Sequence, residues 1–223
     1  AYAVTFQNNP YTVLGKNEKL IFTFSERIKL FETVGMDGVA AFDFDRAFMN
    51  TGKYEFLSSL TERFEIIGIV CGHDFKFGRN AEGDTELLNG FCKENNIMCD
   101  IIQPVELNNI RISSTLVRSR LRDGDIESAA GLLGHPYFID GKVCHGRGVG
   151  KLFGFPTANV SCGKDKLLPR IGVYATKAYL DGKVYKSVTN VGHKPTFGES
   201  VLSVETMLID FDGDIYGKDI SVE

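Results

Sequence analysis

Gly172-Val173-Tyr174-Ala175-Thr176-Lys177-Ala178-Tyr179-Leu180-Asp181-Gly182-Lys183-Val184-Tyr185-Lys186-Ser187-Val188-Thr189-Asn190 decides the architecture of the second half of the chain. Its two flanks read as strands, and Asp181-Gly182 between them is a two-residue turn signal, so the run is a β-hairpin. Working outward, residues 137–144 and 203–211 also read as strands. Asp212-Gly213 repeats the turn signal, and Ile220-Ser221-Val222-Glu223 enters one more strand. No helix is predicted after Gly134. Antiparallel strands joined by tight turns predict a barrel or a sandwich.

Upstream of Gly134, strand and helix signals alternate. Residues 2–6 read as a strand. Residues 23–34 read as a helix: Thr23 caps it, Glu26 sits as in a capping box, Ile28, Phe31 and Val34 keep helical spacing, and Gly35 stops it. Strands follow at 38–44, 64–71 and 97–105. Helices are predicted around Tyr54, Leu57 and Leu60, behind a capping Asp84 with Leu87, Leu88 and Phe91, and at 114–122 and 125–133. Strands alternating with helices of about ten residues predict a parallel sheet covered on both faces, with ligands beyond the carboxyl ends of its strands. The predicted domains are residues 1–134 and 135–223.

The 223 residues suit one large domain or two small ones, and 43% hydrophobic content supports real cores. A net charge of −4 argues against a general nucleic-acid binder, which carries a basic excess. The five cysteines, Cys71, Cys92, Cys99, Cys144 and Cys162, form no C-x-x-C pair, as expected of reduced thiols in a cytoplasmic protein. The four histidines show no metal spacing. No apolar run reaches the roughly 18 residues of a membrane span, so no membrane partner is expected. Self-association is left open. Because the chain opens on a strand signal, a preceding segment is expected.

The chemistry concentrates in a few stretches. Gly146-Arg147-Gly148-Val149-Gly150-Lys151-Leu152-Phe153-Gly154-Phe155-Pro156-Thr157-Ala158-Asn159 joins a glycine-rich run with two basic residues to a tight turn. Glycine N–H groups approach a polyanion closely. Thr157 and Asn159 offer hydroxyl and amide oxygens, hard ligands of the kind Mg²⁺ accepts beside substrate phosphates. A nucleoside triphosphate is the ligand this implies. In Arg111-Ile112-Ser113-Ser114-Thr115-Leu116-Val117-Arg118, hydroxyls cluster at a helix N-terminus and Arg118 lies one turn in; this reads as an anion site or as plain capping. Gly72-His73-Asp74-Phe75-Lys76-Phe77-Gly78-Arg79 follows a strand and nominates Asp74 and Lys76, with Phe75 and Phe77 for packing or stacking, against an ordinary loop. If Val204 faces a barrel interior, Glu205 faces out, where it either acts as a general base or meets solvent. Residues 190–198 cover a ligand or merely join strands.

These stretches carry a family resemblance. His145-Gly146 through Leu152, Gly154-Phe155-Pro156-Thr157-Ala158-Asn159, Leu168-Pro169, Gly172-Val173-Tyr174, Asn190-Val191-Gly192, Pro195-Thr196-Phe197-Gly198, Val204-Glu205 and Asp214-Ile215-Tyr216-Gly217 form one ordered set. In that set, and over nearly all its length, the chain resembles the bifunctional bacterial riboflavin kinase/FMN adenylyltransferase family, also called FAD synthetase. The resemblance implies an α/β nucleotidyltransferase-like (Rossmann-like) parallel-sheet domain over 1–134. It implies an antiparallel six-stranded β-barrel riboflavin kinase domain over 135–223. It further implies ATP held at Gly146, Gly148, Gly150, Lys151, Gly154, Thr157, Asn159 and Asn190, Mg²⁺ at Thr157 and Asn159, and Glu205 as base for the ribityl 5′-hydroxyl. In the first domain it implies nucleotide contacts from Asp74, Ser114, Thr115 and Arg118. The expected activity is phosphorylation of riboflavin to FMN with ATP, and adenylation of FMN to FAD.

The chain also departs from the family pattern. The family's glycine-rich first nucleotide motif with two histidines falls before Ala1, and Phe6-Gln7-Asn8-Asn9-Pro10 stands where the family reads Phe-Asp-Pro-His-Pro. An amide supplies neither an ionisable group nor a full negative charge. Family members continue past Glu223 into a further strand and a helix. A kinase with a degenerate adenylyltransferase half, and a non-catalytic flavin or nucleotide binder, remain open readings.

Overall fold

A computed structural model describes residues 1–145, 157–195 and 200–223. They divide into two compact units: residues 1–18 with 31–112, and residues 19–30 with 113–223.

The first unit is built from parallel pairs. Strand β1 (Tyr2–Phe6) runs beside β2 (Gly38–Phe42), with the short helix α1 (Pro10–Val13) and helix α2 (Phe24–Thr33) between them in sequence. Helices α3 (Arg46–Met49) and α4 (Lys53–Arg63) lead to β3 (Gly68–Gly72), and α5 (Thr85–Glu94) leads to its parallel partner β4 (Met98–Ile102). Asp84 caps α5 as expected, its carboxylate accepting from Leu87 N–H at 3.0 Å. Leu57, Leu88, Cys92 and Phe77 form a buried core against which Ile69, Cys71 and Cys99 pack. The alternate residues of these strands, Val70, Met98 and Ile102, are exposed, as are Tyr2 and Val4 on β1.

The parallel α/β class is the expected one, but the single sheet covered on both faces is not seen. Among the described residues the parallel strands form two separate two-stranded ladders. Side chains rather than backbone link them, through ring contacts running Phe6, Phe48, Phe56 and Phe77. The hairpin β5 (Glu106–Leu107) and β6 (Ile110–Arg111) was not among the expected elements; its turn residues Asn108 and Asn109 adopt φ of 52° and 62°, which asparagine tolerates.

In the second unit, α6 (Ser114–Asp123) and α7 (Ile126–Leu133) are capped by Ser113 and Asp125 and ended by left-handed Gly124 and Gly134. Six strands then close a barrel: β7 (Ile139–Cys144), β8 (Ala158–Ser161), β9 (Gly172–Leu180), β10 (Lys183–Pro195), β11 (Ser200–Leu208) and β12 (Asp219–Val222), in the order β10-β11-β8-β7-β12-β9. The β9–β10 hairpin turns at Asp181-Gly182. Strand β8 corrects the end of the tight turn predicted at Phe155-Pro156-Thr157-Ala158-Asn159, where Ala158 and Asn159 are extended; Phe155 and Pro156 lie outside the described residues.

Compactness groups residues 19–30 and 113–134 with the barrel strands. Phe22, Val117, Leu121 and Ala129 belong to the same buried cluster as Ile139, Val160, Leu180 and Val222 of the barrel. Residues 19–30, α6 and α7 therefore bury their apolar faces with the barrel strands.

A buried ion pair fixes this arrangement. Lys166 Nζ donates to Glu26 Oε2 at 2.8 Å, Ile21 O at 3.0 Å and Phe138 O at 2.7 Å, and both side chains are fully buried. Glu26 completes its own set by accepting from the N–H groups of Thr23 and Asp140 at 2.7 and 2.9 Å. Thr23 Oγ1 in turn accepts from Glu26 N–H at 3.3 Å, so the predicted capping box is present and its glutamate also serves the barrel.

Candidate active site

Antiparallel pairing sets Cys144, Asn159, Glu205, Asn190 and Val173 opposite one another, in turn, across β7, β8, β11, β10 and β9. Residues directly opposite share one face of a sheet. The neighbouring row, Val143, Val160, Val204 and Val191, is buried inside the barrel. Glu205 therefore lies on the outer face between two amides, with Asn190 exposed, Glu205 half-buried and Asn159 only 7% exposed.

Asn159 is the informative member. Its Oδ1 is buried and has no hydrogen-bond partner among the described residues. An unpaired buried acceptor costs about 1–3 kcal/mol, so the position favours something that uses the lone pairs. A hard divalent cation is such a group, and an amide oxygen is a ligand it accepts. Thr157, half-buried two residues earlier, offers a second oxygen of the same kind. These residues fit Mg²⁺. The other nominated phosphate residues, Gly146, Gly148, Gly150, Lys151 and Gly154, lie outside the described residues, as do residues 196–199 of the 190–198 loop.

The nominees of the first half fall in different units: Asp74 in the first, Ser114, Thr115 and Arg118 in the second. Asp74 is exposed and accepts from Arg111 Nη2 at 2.8 Å. Lys76 pairs with Asp84 at 3.5 Å. Phe75 and Phe77 stack at 5.5 Å, Phe77 buried in the core and Phe75 half-buried against it. Ser113 takes the capping position, accepting from Leu116 N–H at 3.2 Å, and leaves Ser114 and Thr115 exposed in the first turn of α6. Arg118 is buried, and its Nε donates to Lys19 O at 3.1 Å.

The departure at residues 7–9 has a structural use. Asn8 donates to Phe44 O and accepts from Phe44 N–H, both at 2.8 Å. Asn9, 3% exposed, accepts from Tyr11 N–H at 3.1 Å and donates to Glu18 O at 2.8 Å. Each side chain works as donor and acceptor at once, which a carboxylate cannot do.

Sequence reasoning missed Lys166 and the hydroxyls inside the barrel. Ser187, Thr189 and Thr206 are 3%, 2% and 0% exposed. The available signal was that they occupy the inward phase of alternating strands otherwise filled by Val191, Val204 and Leu208.

Comparison with known proteins accounts for both halves. The riboflavin kinase family model matches residues 133–223, and the FAD synthetase family model matches residues 1–116. A bifunctional riboflavin kinase/FMN adenylyltransferase of Bacillus subtilis is 34% identical over 226 residues, covering 99% of this chain and 71% of the relative. The protein of that description from Escherichia coli K12 is 36% identical over 199 residues, covering 88% of this chain and 63% of the relative. A crystal structure described as a macrolide-efflux protein from Streptococcus pneumoniae superposes with a TM-score of 0.84 at 28% identity, covering 99% of this chain and 73% of that one. Among the described residues no helix is long and apolar enough to cross a membrane. With both family models matched in order and a relative aligned over nearly its whole length, this chain belongs to the bifunctional riboflavin kinase/FMN adenylyltransferase family of enzymes.

Proposed function

We propose that the barrel phosphorylates the ribityl 5′-hydroxyl of riboflavin, with ATP as donor, to give FMN and ADP. The observation that carries this reading is the outer row Asn159, Glu205 and Asn190, with a buried amide oxygen left unpaired beside a carboxylate. Asn159 Oδ1 and the Thr157 hydroxyl would hold Mg²⁺, which when bound neutralises charge on the transferring phosphates. Glu205 accepts the hydroxyl proton as the oxygen attacks, and Asn190 orients the ligand beside it. The glycine-rich run 146–154 takes the phosphates in this reading, which rests there on the family resemblance alone. The cytoplasm is the proposed compartment, and flavins and ATP the partners.

Glu205→Gln keeps the shape and removes the base. The kcat for FMN formation is expected to fall about 100-fold or more, while KM for ATP stays close to that of the unmodified chain. Unchanged turnover would remove Glu205 from the role of base.

The first half supports adenylation of FMN to FAD through its family membership. A second reading, kinase activity alone, is favoured by the amides of Asn8 and Asn9, which are committed to backbone groups. Chromatography of the flavins made from riboflavin, ATP and Mg²⁺ separates the two. FMN followed by FAD supports the bifunctional reading, and FMN alone supports the kinase.

A further inference from the structure

We infer that the hydroxyls of Thr176, Ser187, Thr189 and Thr206 are positioning groups that keep Glu205 in line with Asn190 and Asn159. The inference rests on the kinase reading above. Thr176 Oγ1 lies 2.7 Å from Ser187 Oγ and 2.8 Å from Thr189 Oγ1, and Thr189 Oγ1 lies 2.8 Å from Thr206 Oγ1. The chain of hydroxyls crosses β9, β10 and β11 inside the barrel, and none of its oxygens is left without a partner.

The placement of polar and apolar residues on these inner faces distinguishes the observed register from a slip that separates Thr206 from the inner hydroxyls. On β10 the inward sequence is Ser187, Thr189, Val191; on β11 it is Val204, Thr206, Leu208. The observed pairs are Ser187 with Leu208, Thr189 with Thr206, and Val191 with Val204. A two-residue slip preserves which face is inward, so hydrophobic burial alone discriminates weakly against it. In one direction the slip sets Thr206 against Val191 and Thr189 against Leu208, separating both hydroxyls from each other. In the other it sets Thr206 against Ser187 and Thr189 against Val204. A buried hydroxyl without a partner is costly, so the first slip, which takes Thr206 away from the inner hydroxyls, is penalised; the second keeps Thr206 beside Ser187, and in both Thr189 retains Thr176.

The same slips decide the outer face. Glu205 follows directly on from Val204, and Asn190 from Thr189. The penalised slip, a displacement of roughly 7 Å along a strand, would move Glu205 from Asn190 to Gly192. The interior hydroxyls thus act on the carboxylate through strand register and touch no substrate.

The test uses the full chain with riboflavin, ATP and Mg²⁺. Thr189→Val combined with Thr206→Val removes both hydroxyls at matched shape and leaves Thr176 and Ser187 bonded to each other. Replacing both partners by apolar groups of the same shape is close to neutral for stability or favourable. The double valine variant is therefore expected to melt no lower than the unmodified chain, yet to lose roughly tenfold or more in kcat through misplacement of the base. Thr189→Ser with Thr206→Ser keeps the hydroxyls and loses two methyl groups. It is expected to melt lower and to retain near-normal kcat. Activity opposed to stability in this way is not produced by a packing defect. Full turnover in the valine variant, or turnover that simply follows melting temperature in both variants, overturns the inference and leaves the kinase reading standing. If the double valine variant fails to fold, Thr206→Val against Thr206→Ser makes the same comparison. Absence of FMN formation by the unmodified chain overturns the kinase reading and this inference with it.

Discussion

Lys166 has three ammonium donors and three protein acceptors, and it lies over Tyr137, Phe22 and Phe138 at 4.4, 4.8 and 5.5 Å from their ring centroids. Removing one partner of a buried ion pair leaves a charge uncompensated, at about 3–5 kcal/mol. Lys166→Met is expected to lose stability of that order in chemical denaturation, and Lys166→Met with Glu26→Gln to lose less. Burial pushes the lysine down from 10.5 to about 8, against the opposing pull of Glu26. Between those values the unfolded chain binds the extra proton, so this group makes stability rise with pH from about 8 towards 10.5. Burial raises Tyr137 and Cys162, which act in the opposite direction as they ionise. The difference between melting curves of the unmodified chain and Lys166→Met, taken across that interval, isolates the lysine. No sequence pattern announced this residue, because its partner Glu26 lies 140 positions away. Glu26 was legible only as a local cap.

Among the elements, β7 and β8 carry the site most directly. A Cβ on Gly141 of β7 would stand 2.6 Å from Val160 Cγ1 and 2.7 Å from Ser161 O of β8, the strand that holds Asn159. Gly141→Ala is expected to cost about 1–3 kcal/mol by overpacking and to depress FMN formation as well, since β8 must move. Gly182, at φ +75° in the β9–β10 turn, has open space around its Cβ position. Gly182→Ala is expected to lose about 1–2 kcal/mol through the left-handed backbone alone, with kcat unchanged. Thermal melting and a flavin assay on the two variants check the contrast. The hairpin around Gly182 was readable because two turn residues between two strand runs form a local signal. Strand β8 was not, because four residues reading Ala-Asn-Val-Ser carry little of that signal and owe their extension to pairing with β7 and β11. The site divides in the same way. Asn159, Asn190 and Glu205 each stood out singly, whereas their shared row depends on register between strands far apart in sequence.

At the scale of the whole molecule, the two family models meet across helices α6 and α7, between residues 116 and 133, whereas compactness divides the chain elsewhere. Residues 19–30 lie within the FAD synthetase match, yet they bury Phe22 and Glu26 with the barrel and helices α6 and α7. A fragment of residues 135–223 would retain Lys166 and lose Glu26 and the Ile21 carbonyl. It is expected to be less stable than the same barrel in the full chain by about 3–5 kcal/mol, measured by denaturant unfolding monitored at the barrel tyrosines. Equal stability would mean that the barrel re-forms its interior without residues 19–30. The buried pair also constrains heredity. A recombination breakpoint between residues 116 and 133 would separate the codon for Glu26 from the codon for Lys166. Exchange of kinase halves between lineages would then succeed only where the incoming barrel supplies a matching cation, which makes these two positions travel together.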